Sequence, residues 1–419
     1  MSETTIPAPS KPSRPMLVAF VTVVLDLLGF GIIIPIQPFY AEHLGASPTL
    51  VTLLGASYSL MQFLFAPMWG RLSDRIGRRP VMLTSISIGI VGYTIFGAAG
   101  SLWVLFASRM LAGFGAANIG AAQAIVADTT SGHDRAKGMG LIGAAFGIGF
   151  VIGPAMGGAL GQLGPEAPAY GAAILGLLNL LLAIRYLPET RRVGAGAPLG
   201  QRRTVFSFAA VRAIADQINV GRLLLIVLVS VAGMALMEQA LPLFIERIFL
   251  PVATYLPGSP EAHARSAALT AYILVAVGVT ATVVQGGLIG RLTRRFGERT
   301  LIRVGSVMMG AAFALMPIAG AAGSFTALMG TGVLLAIGSG MMNPSIMSFL
   351  SRSVSADVQG ATLGLSQSLS ALGRTLGPAV AGVLFEVGFD IPFYSAAGTL
   401  LVAVVIAFGL RRLIDASTA

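Results

Sequence analysis

Four ionisable side chains interrupt otherwise apolar runs of this sequence, and any chemistry has to start from them: Asp26, Arg109, Glu238 and Arg374. Asp26 lies roughly 15 Å into its run at 1.5 Å of helix rise per residue, a depth at which a charge without a partner is costly. A carboxyl placed there is a candidate proton carrier, exchanging its proton for a substrate or a conformational change; a structural hydrogen bond to a neighbouring helix is the plainer alternative. Arg109 cannot lose its proton and so needs an anionic or carbonyl partner within the protein, for which Asp26 is one candidate. Glu238, beside Gln239 and just before Pro242, offers a second proton site or a counter-ion for a cationic substrate group, and an ion pair with Arg374 is a further option. Gln62, Asn118 and Gln123 supply polar handles for a cavity, although single amides in such runs more often join helices.

The elements that must position these groups follow from the apolar runs themselves. With 55% hydrophobic and 11% charged residues over 419 positions, the chain lies outside the range of soluble domains and takes lipid as its solvent. Crossing ~30 Å of hydrocarbon takes roughly 20 helical residues. Pro/Gly punctuation and charged breaks give twelve such spans, at 16–41, 49–69, 80–100, 102–127, 138–161, 169–187, 221–245, 267–290, 300–320, 324–349, 359–384 and 392–410. The expected protein is all-α and polytopic, with twelve transmembrane helices in two six-helix pseudo-symmetric bundles at 16–187 and 221–410. A polar linker at 188–220 joins them, its second part amphipathic, and tails at 1–15 and 411–419 flank them. The run after the first tail is too long for a signal-peptide core and reads as the first spanning helix.

Charge sets the orientation. Of the 27 Lys and Arg residues, only Arg247 and Arg265 fall in loops of one side and only Arg109 and Arg374 within spans. The rest gather on the other side, which the positive-inside rule makes cytoplasmic, with both termini there and the chain in the cell (inner) membrane. The net charge of +10 is scattered singly between spans and forms no face for nucleic acid. Cysteine is absent and His43, His133 and His263 fall in expected loops, so metal and nucleophile sites have little to build on. Neither an enzymatic reaction nor a cofactor is expected.

An internal repeat organises the chain. Gly70-Arg71-Leu72-Ser73-Asp74-Arg75-Ile76-Gly77-Arg78-Arg79 after the second span is echoed by Gly290-Arg291-Leu292-Thr293-Arg294-Arg295-Phe296-Gly297-Glu298-Arg299 after the eighth. Gly149-x3-Gly153-Pro154 in the fifth span is echoed by Gly373-x3-Gly377-Pro378 in the eleventh. The first of these segments reads as a tight turn permitted by Gly70 and Gly77, with Asp74 pairing locally or lying against a helix N-terminus as a latch on the inner face. Asp128 is expected to join Arg75 or Arg78 in the same cytoplasmic charge cluster. Gly149, Gly153 and Gly157 share one helix face, where a neighbouring backbone can approach closely, and Pro154 removes a helical hydrogen bond beside them.

The Gly70 to Arg79 segment resembles the signature loop of the major facilitator superfamily. Asp26-Leu27-Leu28-Gly29-Phe30-Gly31, Arg109-x3-Gly113-x-Gly115, Ala127-Asp128-Thr129-Thr130 and Gly149-x3-Gly153-Pro154-x2-Gly157-Gly158 extend the resemblance to its drug–proton antiporter branch, tetracycline exporters above all. The resemblance implies alternating access driven by the proton gradient, a coupling role for Arg109, and an export bias from the fifth span. Its implied partners are protons, the bilayer and a small lipophilic molecule, handled by a monomer. Tetracycline exporters add an acid in the third span, a histidine in the eighth and an acid in the ninth; the matching stretches here carry none. An apolar cavity with many Met and Phe side chains suits lipophilic or amphiphilic compounds more broadly. Transport of a sugar, lipid or other metabolite, or ligand binding without transport, remain the alternatives.

Overall fold

The computed structural model describes residues 14–116, 121–122, 125, 145, 147–149, 151–190, 219–250, 258–354 and 356–411. Within them the chain is helical: α1 (Arg14–Ile33), α2 (Gln37–His43), α3 (Pro48–Ile76), α4 (Arg78–Gly97), α5 (Leu102–Gly115), α6 (Gly147–Leu163), α7 (Ala167–Tyr186), α8 (Val220–Phe244), α9 (Pro260–Val283), α10 (Ile289–Phe296), α11 (Glu298–Ala321), α12 (Phe325–Arg352), α13 (Ala356–Val387) and α14 (Ile391–Phe408). Ten helices of the described residues are long and apolar enough to cross a membrane, and the shorter α5 and α6 stand where the fourth and fifth spans are expected. Many of their large apolar side chains face outwards, among them Leu177 and Leu181 on α7, Ile318 on α11, and Leu401 and Val405 on α14. In water such bands would be aggregation surfaces; in lipid they are the expected exterior.

Local chemistry sets the helix ends. Ser47, Ser259 and Ser324 each cap a helix, their hydroxyls accepting from the backbone N–H of Leu50, Ala262 and Ala327, and Pro48 and Pro260 occupy the first helical positions. At the end of α14, Arg222, Arg299 and Arg303 donate to the carbonyls of Gly409, Leu410 and Ala407, which satisfies groups that a helix C-terminus leaves open and complements its negative pole.

The first expected span, 16–41, is not one helix. Pro35 and Pro38 each remove a backbone donor, and the chain breaks after Ile33 before α2 begins at Gln37. The signature segment departs in the opposite sense. Helix α3 runs through Gly70 to Ile76, so Gly70 makes no turn; only Gly77, at φ +104°, separates α3 from α4. Gly297, at φ +75°, does the same between α10 and α11, and the repeat seen in sequence is therefore a repeat of one backbone device.

Glycine faces join the halves. A Cβ on Gly149 would lie 2.6 Å from the Leu27 Cβ and one on Gly153 would lie 2.7 Å from the Gly31 Cα, so α6 packs backbone to backbone on α1; Gly157 meets the Ile32 carbonyl in the same way. The other face of α6 meets α9, with Gly158 against Ala271 and Gly147 against Thr282. The echo at Gly373 and Gly377 performs the same function, seating α13 on α8 at Ala232 and Leu236, while Gly382 presses against Thr49 of α3. Each of these paired helices thus contacts one helix of its own half and one of the other.

Candidate functional site

Two cavities adjoin: the larger is walled by helices of the first half and closed from the second by Arg374, and the smaller lies between the halves. The larger, about 180 Å³, is lined by Asp26, Phe30, Tyr58, Gln62, Tyr93 and Arg374 among others; the smaller, about 30 Å³, takes in Gln37, Arg109, Glu238 and Gln239 and shares Phe30, Tyr58 and Arg374 with its neighbour. The structure therefore brings together every intramembrane charge singled out in the sequence, from α1, α5, α8 and α13. Glu238 and Arg374 attract each other across the small cavity without closing to ion-pair distance. Gln62 lines the large cavity and also joins α3 to the end of α5, donating to the Ala116 carbonyl at 3.2 Å. Gln239 lies against Gly55 of α3, a contact from the second half to the first. Asn118, Gln123 and Asp128 lie outside the described residues.

Arg109 does not pair with Asp26. Its Nη1 donates to the Gln37 Oε1 at 3.3 Å, its Nε and Nη2 have no acceptor, and its guanidinium stands over the rings of Tyr58, Tyr93 and Phe96 at 5.1, 5.8 and 5.2 Å. At 2% exposure it is the largest fully buried side chain of the described residues. Its surroundings are aromatic faces, which attract a cation, and one amide oxygen. Asp26 is held instead by Asn179 of α7, whose Nδ2 donates to Asp26 Oδ1 at 2.9 Å and to the Thr22 carbonyl at 3.1 Å.

Gln37, Tyr58, Tyr93 and Asn179 were not singled out from the sequence. Gln37 had a readable signal, an amide between two prolines at a helix break. Asn179 was a lone amide in the sixth span of the kind usually passed over as helix glue.

At the Gly77 turn, the helix-pole anion is Glu189. Its carboxylate accepts from the backbone N–H of Arg78 at 2.9 Å and of Arg79 at 3.1 Å, capping α4. The Arg78 side chain turns inwards, 7% exposed, and donates to the Ser73 hydroxyl at 2.7 Å; Arg75 is exposed. The side chain of Asp74 lies outside those described. Gly77 leaves no room for a Cβ, which would collide with the Glu189 carboxylate, and its positive φ is unfavourable for other residues. Gly77→Ala is expected to destabilise the protein by about 1–3 kcal/mol, read as a lowered melting temperature in detergent, while Gly70→Ala, with nothing within 4 Å of a new Cβ, is expected to leave it unchanged.

The opposite end of the molecule holds a second polar cluster. His263 is not in a loop; it lies in the first turn of α9, stacked on Phe39 of α2 at 4.9 Å, with its Nε2 3.5 Å from Glu246 Oε1 and 3.7 Å from Glu42 Oε2. Arg247 pairs with the other Glu42 oxygen at 2.9 Å. Burial and then the neighbouring Glu246 carboxylate push the Glu42 carboxyl up to about 7, against the pull of Arg247.

Two halves of membrane-spanning helices with adjoining internal cavities lined by intramembrane charges define a membrane transporter. The family model of the Major Facilitator Superfamily matches residues 19–284 and 248–418. The chain is 33% identical to the tetracycline resistance protein, class C, of Escherichia coli over 90% of both chains, and 29% identical to multidrug resistance protein 1 of Bacillus subtilis over 91% of this chain and 92% of that one. Its fold matches the crystal structure of the human organic anion transporter MFSD10 with a TM-score of 0.70 and 25% identity, over 95% of this chain and all of that one. The chain belongs to the major facilitator superfamily.

Proposed function

We propose that this protein exports lipophilic or amphiphilic drug-like compounds in exchange for protons, by alternating access. The observation that carries the reading is the large cavity within the first half, reached from the second by Arg374: mostly apolar and aromatic, and opened on by the carboxylate of Asp26, which Asn179 orients from behind. Apolar walls bind the substrate, and the acid provides the proton exchange that drives it. Relatives named for resistance to tetracycline and to multiple drugs support the same class of cargo.

In this reading Asp26 accepts a proton on one side of the cycle and releases it on the other, while Arg109 fixes the field around the aromatic wall that separates it from the small cavity. The Gly77 end faces the cytoplasm with both termini, the chain works as a monomer in the cell membrane, and the proton gradient rather than a cofactor or a chemical reaction supplies the energy. Arg374, lining both cavities, favours a second cargo, an amphiphile with an acidic group. The human organic anion transporter is similar in fold.

The test is proton movement in vesicles containing the purified protein, challenged with tetracycline, a lipophilic cation, an amphiphilic anion and a sugar. A proton signal with one or more of the lipophilic compounds is expected. Silence across the panel with folded protein, or a signal with the sugar alone, overturns the reading.

A further inference from the structure

We propose that Glu42, Glu246 and His263 form a zinc-class divalent cation site that clamps the two halves together at the end opposite Gly77 and Gly297. Their three ligand atoms lie within 4.8 Å of one another. An ion bound tetrahedrally at ~2.0–2.2 Å holds its ligand atoms roughly 3.3–3.6 Å apart, and the imidazole Nε2 stands 3.5 Å and 3.7 Å from the two carboxylates. Both imidazole–carboxylate spacings lie within about 0.1 Å of that range, and rotation of the two glutamate side chains brings their oxygens together on the ion.

A cluster of acids alone would be an ordinary surface feature. Here the side chain of Glu246 is fully buried and that of Glu42 only 10% exposed, yet Glu246 Oε2, Glu42 Oε2 and His263 Nε2 have no hydrogen-bond partner. Buried polar atoms in native proteins are nearly always satisfied, yet each of these three residues carries one that is not, and two of them, Glu42 Oε2 and His263 Nε2, face each other at 3.7 Å. Supporting contacts already orient the ligands: the Gly258 N–H donates to Glu246 Oε1 at 2.7 Å, Arg247 holds Glu42 Oε1, and Phe39 fixes the imidazole plane. Arg247 opposes a second cation, but two carboxylates outweigh it and leave a net negative site. An imidazole with two carboxylates suits Zn²⁺ and its transition-metal neighbours; Ca²⁺ and Mg²⁺ prefer all-oxygen shells with more ligands.

Glu42 belongs to α2 in the first half, whereas Glu246 and His263 belong to the second. A bound ion therefore ties the halves on one face. If that face must open during export, an inference that rests on the function proposed above, the ion is an inhibitor of the transport cycle.

The experiment uses full-length, tag-free, chelator-treated protein in detergent and reads Zn²⁺ binding by calorimetry, the visible absorption of Co²⁺, and the melting temperature. One equivalent of Zn²⁺ is expected to bind and raise the melting temperature, and Co²⁺ is expected to show a four-coordinate spectrum. Binding is expected to weaken at least about tenfold in Glu246→Gln and in His263→Asn. Glu42→Gln, in the other half, repeats the test should either variant fail to fold. Absence of binding to the unaltered protein, or binding indifferent to these substitutions, overturns the site. In vesicles, Zn²⁺ on the outer face is expected to slow transport; binding without slowing overturns the clamp. The binding measurements need no substrate, so they decide the site even if the proposed cargo is wrong.

Discussion

Asp26→Asn is expected to abolish uphill transport while leaving the protein folded and able to exchange substrate down a concentration gradient. The contact with Asn179 survives the substitution because it ends on Asp26 Oδ1, an acceptor that asparagine retains. What it loses is the ability to take up and release a proton. With one proton exchanged per uncharged substrate molecule and the membrane potential collapsed, a pH difference of one unit stores about 1.4 kcal/mol, enough to sustain about tenfold accumulation. In vesicles the unaltered protein should reach a gradient of that order and the Asn variant none, with unchanged melting temperature and undiminished counterflow. Full accumulation by the variant would remove Asp26 from the coupling role and, with it, the main support for antiport.

Arg109→Met is expected to separate function from stability. A buried charge usually stabilises only when well paired, and Arg109 has one long hydrogen bond, to Gln37, with two nitrogens unsatisfied. Replacing it by an apolar side chain of similar length relieves its desolvation, while the Gln37 oxygen left behind costs about 1–3 kcal/mol. The two roughly offset, so the melting temperature should shift by only a few degrees. Transport should fall much further, because the three aromatic faces and Gln37 would lose the cation they surround: a loss of about 1.5–3 kcal/mol corresponds to roughly ten- to more than a hundred-fold in rate. Arg109→Lys should behave similarly in transport, since an ammonium lacks the planar group that lies over the rings. Parallel losses of melting temperature and transport would instead assign Arg109 a structural role.

Sequence showed the glycine-proline face and its echo, because close helix approach demands glycine at a fixed spacing whatever lies opposite. It also located the four intramembrane charges, since a lone Asp, Glu or Arg in an apolar run stands out by composition alone. Partners were harder to read. Asp26 and Arg109 look like natural counter-ions, but Asn179 lies 153 residues from Asp26 and Gln37 lies 72 from Arg109. Neither amide is distinguished locally from the many that merely bridge helices. Glu189 caps the α4 N-terminus without any mark in the sequence, because the chain beyond the end of α7 returns beside the Gly77 turn.

The sequence by itself determined the membrane-spanning all-helical class, the duplicated architecture, the intramembrane acid and the glycine contact faces. These depend on composition, period and spacing, which lipid enforces along a single chain. Only the tertiary structure decided where one span breaks so that Gln37 can meet Arg109, that the four intramembrane charges share adjoining cavities, and that His263 leaves its expected loop to join two glutamates. Each of these depends on side chains far apart in sequence, and their meeting is fixed by how the two halves pack rather than by any local preference.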